Sequence, residues 1–240
     1  MTTATTMDPF AMLENALHQR LAGKTGLRVL EAGCGSISRL HFPDDSHLTG
    51  IDISEVQLRK NPYLQEKLLG DIETYDLPPS SFDVIVCWNV FEHLSHPDRA
   101  LVRFCDATRP GGLIVLVFPN PLSLKGLATK WTPFWVHVWV TRHLIGRKLA
   151  GTEGNPPYPT FMRWSAAPNT LIRFAAKRGF TPVFVSLFED NKQWQIRHKL
   201  RITGARWRFI QRAVERLTLG SIETDRAQCA LLLEKAEPES

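Results

Sequence analysis

Cysteine is scarce and dispersed in this chain of 240 residues. Cys34, Cys87, Cys105 and Cys229 stand far apart, and no two have the spacing of paired metal ligands. A disulfide-stapled scaffold and a zinc module are therefore excluded, and a reduced, cytoplasmic setting is expected. No apolar run approaches the roughly 20 residues of a membrane span, and residues 1–7 are Thr-rich without the basic start or apolar core of a signal peptide. The expectation is a soluble protein. Apolar residues make up 43% of the chain, enough for one large domain or one domain with an elaborate insertion.

A third glycine is also missing, at a place where it matters. Residues 27–52 begin with an apolar run (Leu27, Val29, Leu30), close on Glu31-Ala32-Gly33-Cys34-Gly35, and end with a second apolar patch that stops on Asp52. A buried strand, a glycine turn with a helix start, and a strand ending in a carboxylate form the first half of a nucleotide-binding βαβ unit. Gly33 and Gly35 allow close backbone approach to a ligand, and Asp52, 19 residues after Gly33, can accept both hydroxyls of a ribose. The dinucleotide fingerprint needs glycine at position 38, which is Ser38 here, and Glu31 at the strand tip would repel a pyrophosphate. A nucleoside with a cationic end and no phosphate fits better. S-adenosylmethionine (SAM), with its sulfonium and ammonium, is such a ligand.

Further acids and turns follow in a telling order. Residues 67–72 read as a third strand ending on Asp71, and residues 84–87 as a strand covered on both faces. Trp88-Asn89-Val90-Phe91-Glu92-His93-Leu94 lies at the carboxyl end of that strand, where ligands sit in open α/β sheets. Pro97 opens a helix, and Arg109-Pro110-Gly111-Gly112 turns into another apolar strand. Together with Glu31-x-Gly33-x-Gly35, this combination over residues 27–120 resembles the class I SAM-dependent methyltransferases of the small-molecule type, although Ile37 stands where their motif has its last glycine. The resemblance implies an α/β, Rossmann-like, doubly wound seven-stranded sheet with a C-terminal antiparallel hairpin. It implies SAM as cofactor, held by Glu31, Gly33, Cys34, Gly35, Asp52, Ile53, Asp71, Ile72, Trp88 and Asn89. Asp71 would accept from the adenine amino group, the Ile72 amide would meet a ring nitrogen, and Trp88 and Asn89 would line the methionine end. The hairpin is expected from strands at 181–188 and 227–234, preceded by a helix at 169–178. An N-terminal helix over 8–22, capped by Asp8, is expected to lie over the cofactor mouth.

Two segments exceed this frame. Residues 122–164 carry Trp131, Trp135, Trp139 and Trp164 in a run apolar on nearly all sides, and are expected to be a helical lid that covers the substrate. The tryptophans either pack the lid onto the sheet or receive a hydrophobic acceptor such as a lipid, quinone or aromatic metabolite. The 192–219 segment has apolar residues at helical steps and an arginine-rich opposite face, with Gly204 as a weak point. Between 192 and 216 there are eight cations and one acid, more than the whole net charge of +5. Such a basic amphipathic helix can sit on an anionic membrane, meet an anionic substrate, or show a solvated face. Nucleic acid is disfavoured, since no recognisable binding module accompanies the charge.

Methyl transfer from a sulfonium is an in-line displacement, so alignment and desolvation matter more than reactive groups. A base is needed where the acceptor arrives protonated, and His93 is the catalytic candidate, with loop-holding as its alternative role. His137 and Tyr158 are weaker candidates. The expected function is SAM-dependent methylation of a small molecule, at oxygen by analogy with the resembled group. The competing readings are a catalytically silent SAM-binding or interaction protein of the same fold, a methyltransferase of a membrane lipid or quinone, and, more remotely, a NAD-dependent oxidoreductase. The sequence defines no oligomeric state.

Overall fold

A computed structural model describes residues 8–143, 146–152, 155 and 157–237. Its centre is one seven-stranded sheet in the order β3-β2-β1-β4-β5-β7-β6. Strands β1 (Arg28–Ala32), β2 (His47–Asp52), β3 (Glu66–Leu69), β4 (Phe82–Trp88) and β5 (Thr108–Pro119) run parallel. Strand β7 (Gln228–Lys235) is antiparallel to both β5 and β6 (Phe180–Phe188), which gives the expected hairpin.

Alternation along the strands sets up two cores. Val84 and Val86 of β4 point to one face, with Val29, Val115 and Leu232. Ile85 and Cys87 point to the other, with Leu30, Ile114 and Leu231. The second face is covered by α3 (Pro97–Ala107), through Leu101 and Phe104, and by α6 (Pro168–Ala176), through Leu171 and Ala175. The first face is covered by α1 (Pro9–Leu21). Asp8 caps this helix through Phe10 N at 3.2 Å, and Leu13, Leu17 and Leu21 are its buried stripe. Each such leucine contributes about 1.5–3 kcal/mol by leaving water. The body of α1 therefore lies across the sheet face against β6 and β7 rather than over the mouth. Only Phe10, with its ring centroid 5.1 Å from that of Trp88, reaches the carboxyl edge.

Three expectations change. No helix forms between β1 and β2: residues 33–46 are turns and extended chain. Ser38, which would sit in the first turns of such a helix, instead donates to the Glu31 carboxylate at 2.7 Å. The Arg109-Pro110-Gly111-Gly112 turn lies inside β5 as a bulge, between the Phe82–Thr108 and Val84–Leu113 pairs. The 192–219 segment is two helices, α7 (Asn191–Lys199) and α8 (Gly204–Thr218), and the break falls at Gly204, whose φ of +55° opens α8.

Candidate cofactor and acceptor site

The Gly33-Cys34-Gly35 turn closes β1 at the carboxyl edge of the sheet, and its amides are already committed. Gly33 N and Cys34 N both donate to the Ile51 carbonyl, at 2.7 and 3.2 Å, and Gly35 N donates to Asp52 Oδ2 at 2.9 Å. Asp52 Oδ1 accepts from Ser54 N at 2.8 Å, which fixes the start of α2 (Glu55–Lys60). Gly33 has φ +68°, and a Cβ there would lie 2.5 Å from a methyl of Val90, so the β1 turn and the loop after β4 touch through this glycine. Gly35, at φ +55°, faces open space.

Carboxylates supply the polarity that the amides do not. Glu31 is buried; Oε2 accepts from Ser38, while Oε1 has no partner among the described residues. Burial pushes its pKa up, against the hydrogen bond from Ser38. Cys34 is half-buried, and burial, then the charges of Asp52 and Glu31, push its thiol to about 12, so it stays protonated and non-nucleophilic. Asp52 keeps lone pairs beyond its two amide bonds, since an ionised carboxylate offers about four acceptor sites. Strand β3 ends at Leu69, two residues short of Asp71. Asp71 is exposed and accepts from Glu73 N at 2.8 Å, and Ile72 is buried in the core behind it. Ile53 is exposed beside Asp52. The Trp88 ring packs towards Phe10, whereas Asn89, at φ +55°, accepts from Gln228 Nε2 at 2.9 Å and donates its amide to the Val117 carbonyl at 2.6 Å.

The other wall is a strap, residues 157–162, which closes the insertion formed by α4 (Leu124–Trp131) and α5 (Phe134–His143). Phe161 N and Met162 N donate to the Glu92 carbonyl at 2.8 and 3.3 Å. Tyr158 stands edge-on to His93, with centroids 5.9 Å apart, and its hydroxyl accepts from Gln57 Nε2 of α2 at 3.0 Å. Burial and then the Asp52 charge push the Tyr158 hydroxyl up, against the bond from Gln57, so it remains protonated. The strap thus joins the loop after β4 to α2 across the carboxyl edge.

Glu92 and His93 sit beneath it. Glu92 is fully enclosed, and burial raises its carboxyl to about 7 against its backbone hydrogen bond and the charge of Lys125. Burial lowers the pKa of His93, against its bond to Pro159. Its Nε2 lies 3.8 Å from Glu92 Oε1. Glu92 and Gln57 join the site only in the structure, as does the bond that ties Ser38 to Glu31. Glu92 had a signal, an acid in a motif at the end of a fully apolar strand. The Gln57–Tyr158 pair, 101 positions apart, had none.

A methyltransferase-domain family profile matches residues 9–150. The chain belongs to the methyltransferase domain family. Its strand order is that of the class I methyltransferase fold, whose cofactor is SAM. Over 177 residues this methyltransferase is 27% identical to a ubiquinone biosynthesis O-methyltransferase of Rhodopseudomonas palustris (strain BisB18), covering 62% of this chain and 69% of that one. It is 31% identical over 133 residues to a malonyl-[acyl-carrier protein] O-methyltransferase of Serratia marcescens, covering 52% of each, so the match spans about half of that relative. The fold is shared with a SAM-dependent methyltransferase from Archaeoglobus fulgidus (TM-score 0.51, 18% identity, 95% of both chains). It is also shared with the [4+2]-cyclase SpnF (TM-score 0.54, 16% identity, 94% of this chain and 81% of that one). The fold alone therefore does not fix a reaction.

The residues present suit SAM. Three turn amides that a pyrophosphate would need are occupied internally, and the buried Glu31 Oε1 lacks a partner that a cationic ligand group could provide. Glu31, the 33–35 turn, Asp52, Asp71 and Asn89 all lie at the carboxyl edge, where the turn amides are committed and the polar groups with lone pairs to spare are carboxylates.

Proposed function

We propose that this methyltransferase acts on an oxygen of a small, hydrophobic or aromatic acceptor held beneath the 157–162 strap. The carrying observation is the combination of a carboxylate-rich, amide-depleted cradle with a partly buried histidine whose Nδ1 is tied to the overlying strap. When bound, SAM supplies an electrophilic methyl group. Glu31 would bind its ammonium end, Asp52 the ribose, and Asp71 with the Ile72 main chain the adenine, while Ile53 borders the ribose side and Trp88 and Asn89 bound the methionine end. Gly33, Cys34 and Gly35 give the close approach. His93 acts as general base: its Nδ1 donates to the Pro159 carbonyl, which leaves a lone pair on Nε2, and its lowered pKa keeps that lone pair free near neutral pH. The strap excludes water and holds the acceptor hydroxyl for in-line displacement. The preference for oxygen is supported by the names of both relatives.

The described cysteines are all free, which supports a reducing, cytoplasmic setting, and no helix among the described residues is long and apolar enough to cross a membrane. The basic 192–219 segment is read as a contact with a lipid surface, and residues 122–164 as the acceptor-covering insertion of a single catalytic domain. The test is incubation with SAM and a panel of phenols, carboxylates and amines, with S-adenosylhomocysteine release followed by mass spectrometry. Turnover confined to hydroxyl or carboxyl acceptors is expected. Tight binding of S-adenosylhomocysteine with no turnover on any class would favour the silent, interaction-only reading.

A further inference from the structure

Two insertions leave the same edge of the sheet. Gln228, at the start of β7, pairs with Pro119 at the end of β5 on one side and with Phe188 at the end of β6 on the other. The α4–α5 insertion departs after Pro119 and the α7–α8 insertion after Phe188. A Ser123–Glu223 bridge and a Lys125–Asp190 ion pair at 2.8 Å join the two at their roots. Gln228 also holds Asn89, so this is the edge that carries the cofactor site.

Each insertion turns an unusual face outward. No residue of α5 is buried; Trp131, which ends α4, and Trp135 and Trp139, one turn apart on α5, are 78%, 69% and 51% exposed. On α8 the inner face is tied down: Trp207 Nε1 donates to Asp225 at 2.7 Å, Gln211 also donates to Asp225, and Arg197, bound to Glu189 through two 2.6 Å contacts, lies over the Trp207 ring. The outer face is left to Arg208, Arg212 and Arg216, none of them ion-paired among the described residues, with Phe209 between them at 74% exposure.

We propose that these two faces together dock the enzyme on an anionic lipid bilayer, with the carboxyl edge and its strap turned towards the membrane. Indole rings and a lone phenylalanine suit the depth of the headgroups, and a row of unpaired arginines suits an anionic leaflet. An acidic protein partner would account for the arginines but would leave three indoles in water. The docking deepens the proposed function by naming the phase that delivers a hydrophobic acceptor, and in that respect rests on it.

The full chain is floated with phosphatidylcholine vesicles with and without phosphatidylglycerol, at low and high salt, without any acceptor present. Binding is expected only with phosphatidylglycerol, and to weaken with salt. A Trp131→Ser/Trp135→Ser/Trp139→Ser variant and an Arg208→Gln/Arg212→Gln/Arg216→Gln variant should each lose binding, the latter by about a hundredfold at roughly fivefold per cation. Both should retain S-adenosylhomocysteine affinity by calorimetry, which reports an intact fold. Wild-type protein that does not float, vesicle binding that survives either triple substitution, or capture by an acidic carrier protein without vesicle binding overturns the proposal. Protein that floats but turns over no acceptor sinks the methyl-transfer reading and leaves the docking standing.

Discussion

His93 Nδ1 lies 2.6 Å from the carbonyl oxygen of Pro159, 66 positions along the chain. A carbonyl only accepts, so Nδ1 carries the proton and fixes the tautomer, while the same bond pins the strap above the ring. One side chain thus sets both which ring nitrogen keeps its lone pair and where the strap is held.

If Nε2 is the base, His93→Ala should lower kcat by about 100-fold, within the usual contribution of a positioned base, with unchanged affinity for S-adenosylhomocysteine. The sign of the pH dependence follows from the burial shift: the neutral form is active, so kcat/KM of the wild type should rise with pH through a value below the ordinary 6.5 and then level. The variant should lack that limb. An alanine variant that keeps both turnover and limb would reduce His93 to a strap anchor.

Glu92 gives a stability signature of its own. Its folded value of about 7 lies above that of an exposed glutamate, so the folded state holds its proton longer than the unfolded chain does. The resulting stabilisation is fully present below about pH 4, and is lost as pH rises through 7, by about 3 kcal/mol in all. Glu92→Gln, which cannot ionise, should gain in melting temperature relative to wild type between pH 5 and pH 8. A constant gap between the two proteins across that range would mean that Glu92 ionises as an exposed acid does.

Gly33 and Gly35 separate folding from binding. Alanine at 33 meets Val90 at 2.5 Å in a left-handed conformation, so Gly33→Ala should cost roughly 2–4 kcal/mol in denaturant unfolding, recovered in part by adding Val90→Ala. Alanine at 35 meets no protein atom within 4 Å and should cost only about 1 kcal/mol from its φ. If the ligand runs through the open space beside it, a folded Gly35→Ala protein should nevertheless bind S-adenosylhomocysteine at least tenfold more weakly. Undiminished affinity would move the ligand away from this turn.

The parts of this molecule that were legible in sequence are those set by local pattern. The continuous apolar run of β4, the apolar stripe of α1, and an acid at the tip of β1 and β2 each announce themselves within a few residues. What escaped depends on partners far along the chain. The 33–46 segment carries the glycine turn of a helix-opening loop, yet Ser38 is drawn to Glu31 and no helix follows. The 192–219 repeat looks continuous because Trp207, Ile210 and Val214 keep helical spacing, and the break at Gly204 becomes decisive only once Arg197 is committed to Glu189 and Trp207 to Asp225. The strap is recorded in no periodicity at all: it is held by main-chain bonds to Glu92 and by the Gln57–Tyr158 pair.

Asp52 binds two amides from different elements, Gly35 N at 2.9 Å and Ser54 N at 2.8 Å, so it organises the turn before any ligand arrives. Asp52→Ala removes both acceptors and should weaken S-adenosylhomocysteine binding by more than 100-fold, with a loss of about 1–3 kcal/mol in stability from the stranded amides. Asp52→Asn keeps the side-chain volume and one carbonyl acceptor but turns an NH2 towards the other amide, so it should lose part of the stability that Asp52→Ala loses, together with the charge-assisted bonds to a ribose. Calorimetry on the two variants therefore distinguishes scaffold from contact. An asparagine variant with full affinity would assign Asp52 to the turn alone, whereas a tenfold or greater affinity loss out of proportion to its loss of stability places the ribose on this carboxylate.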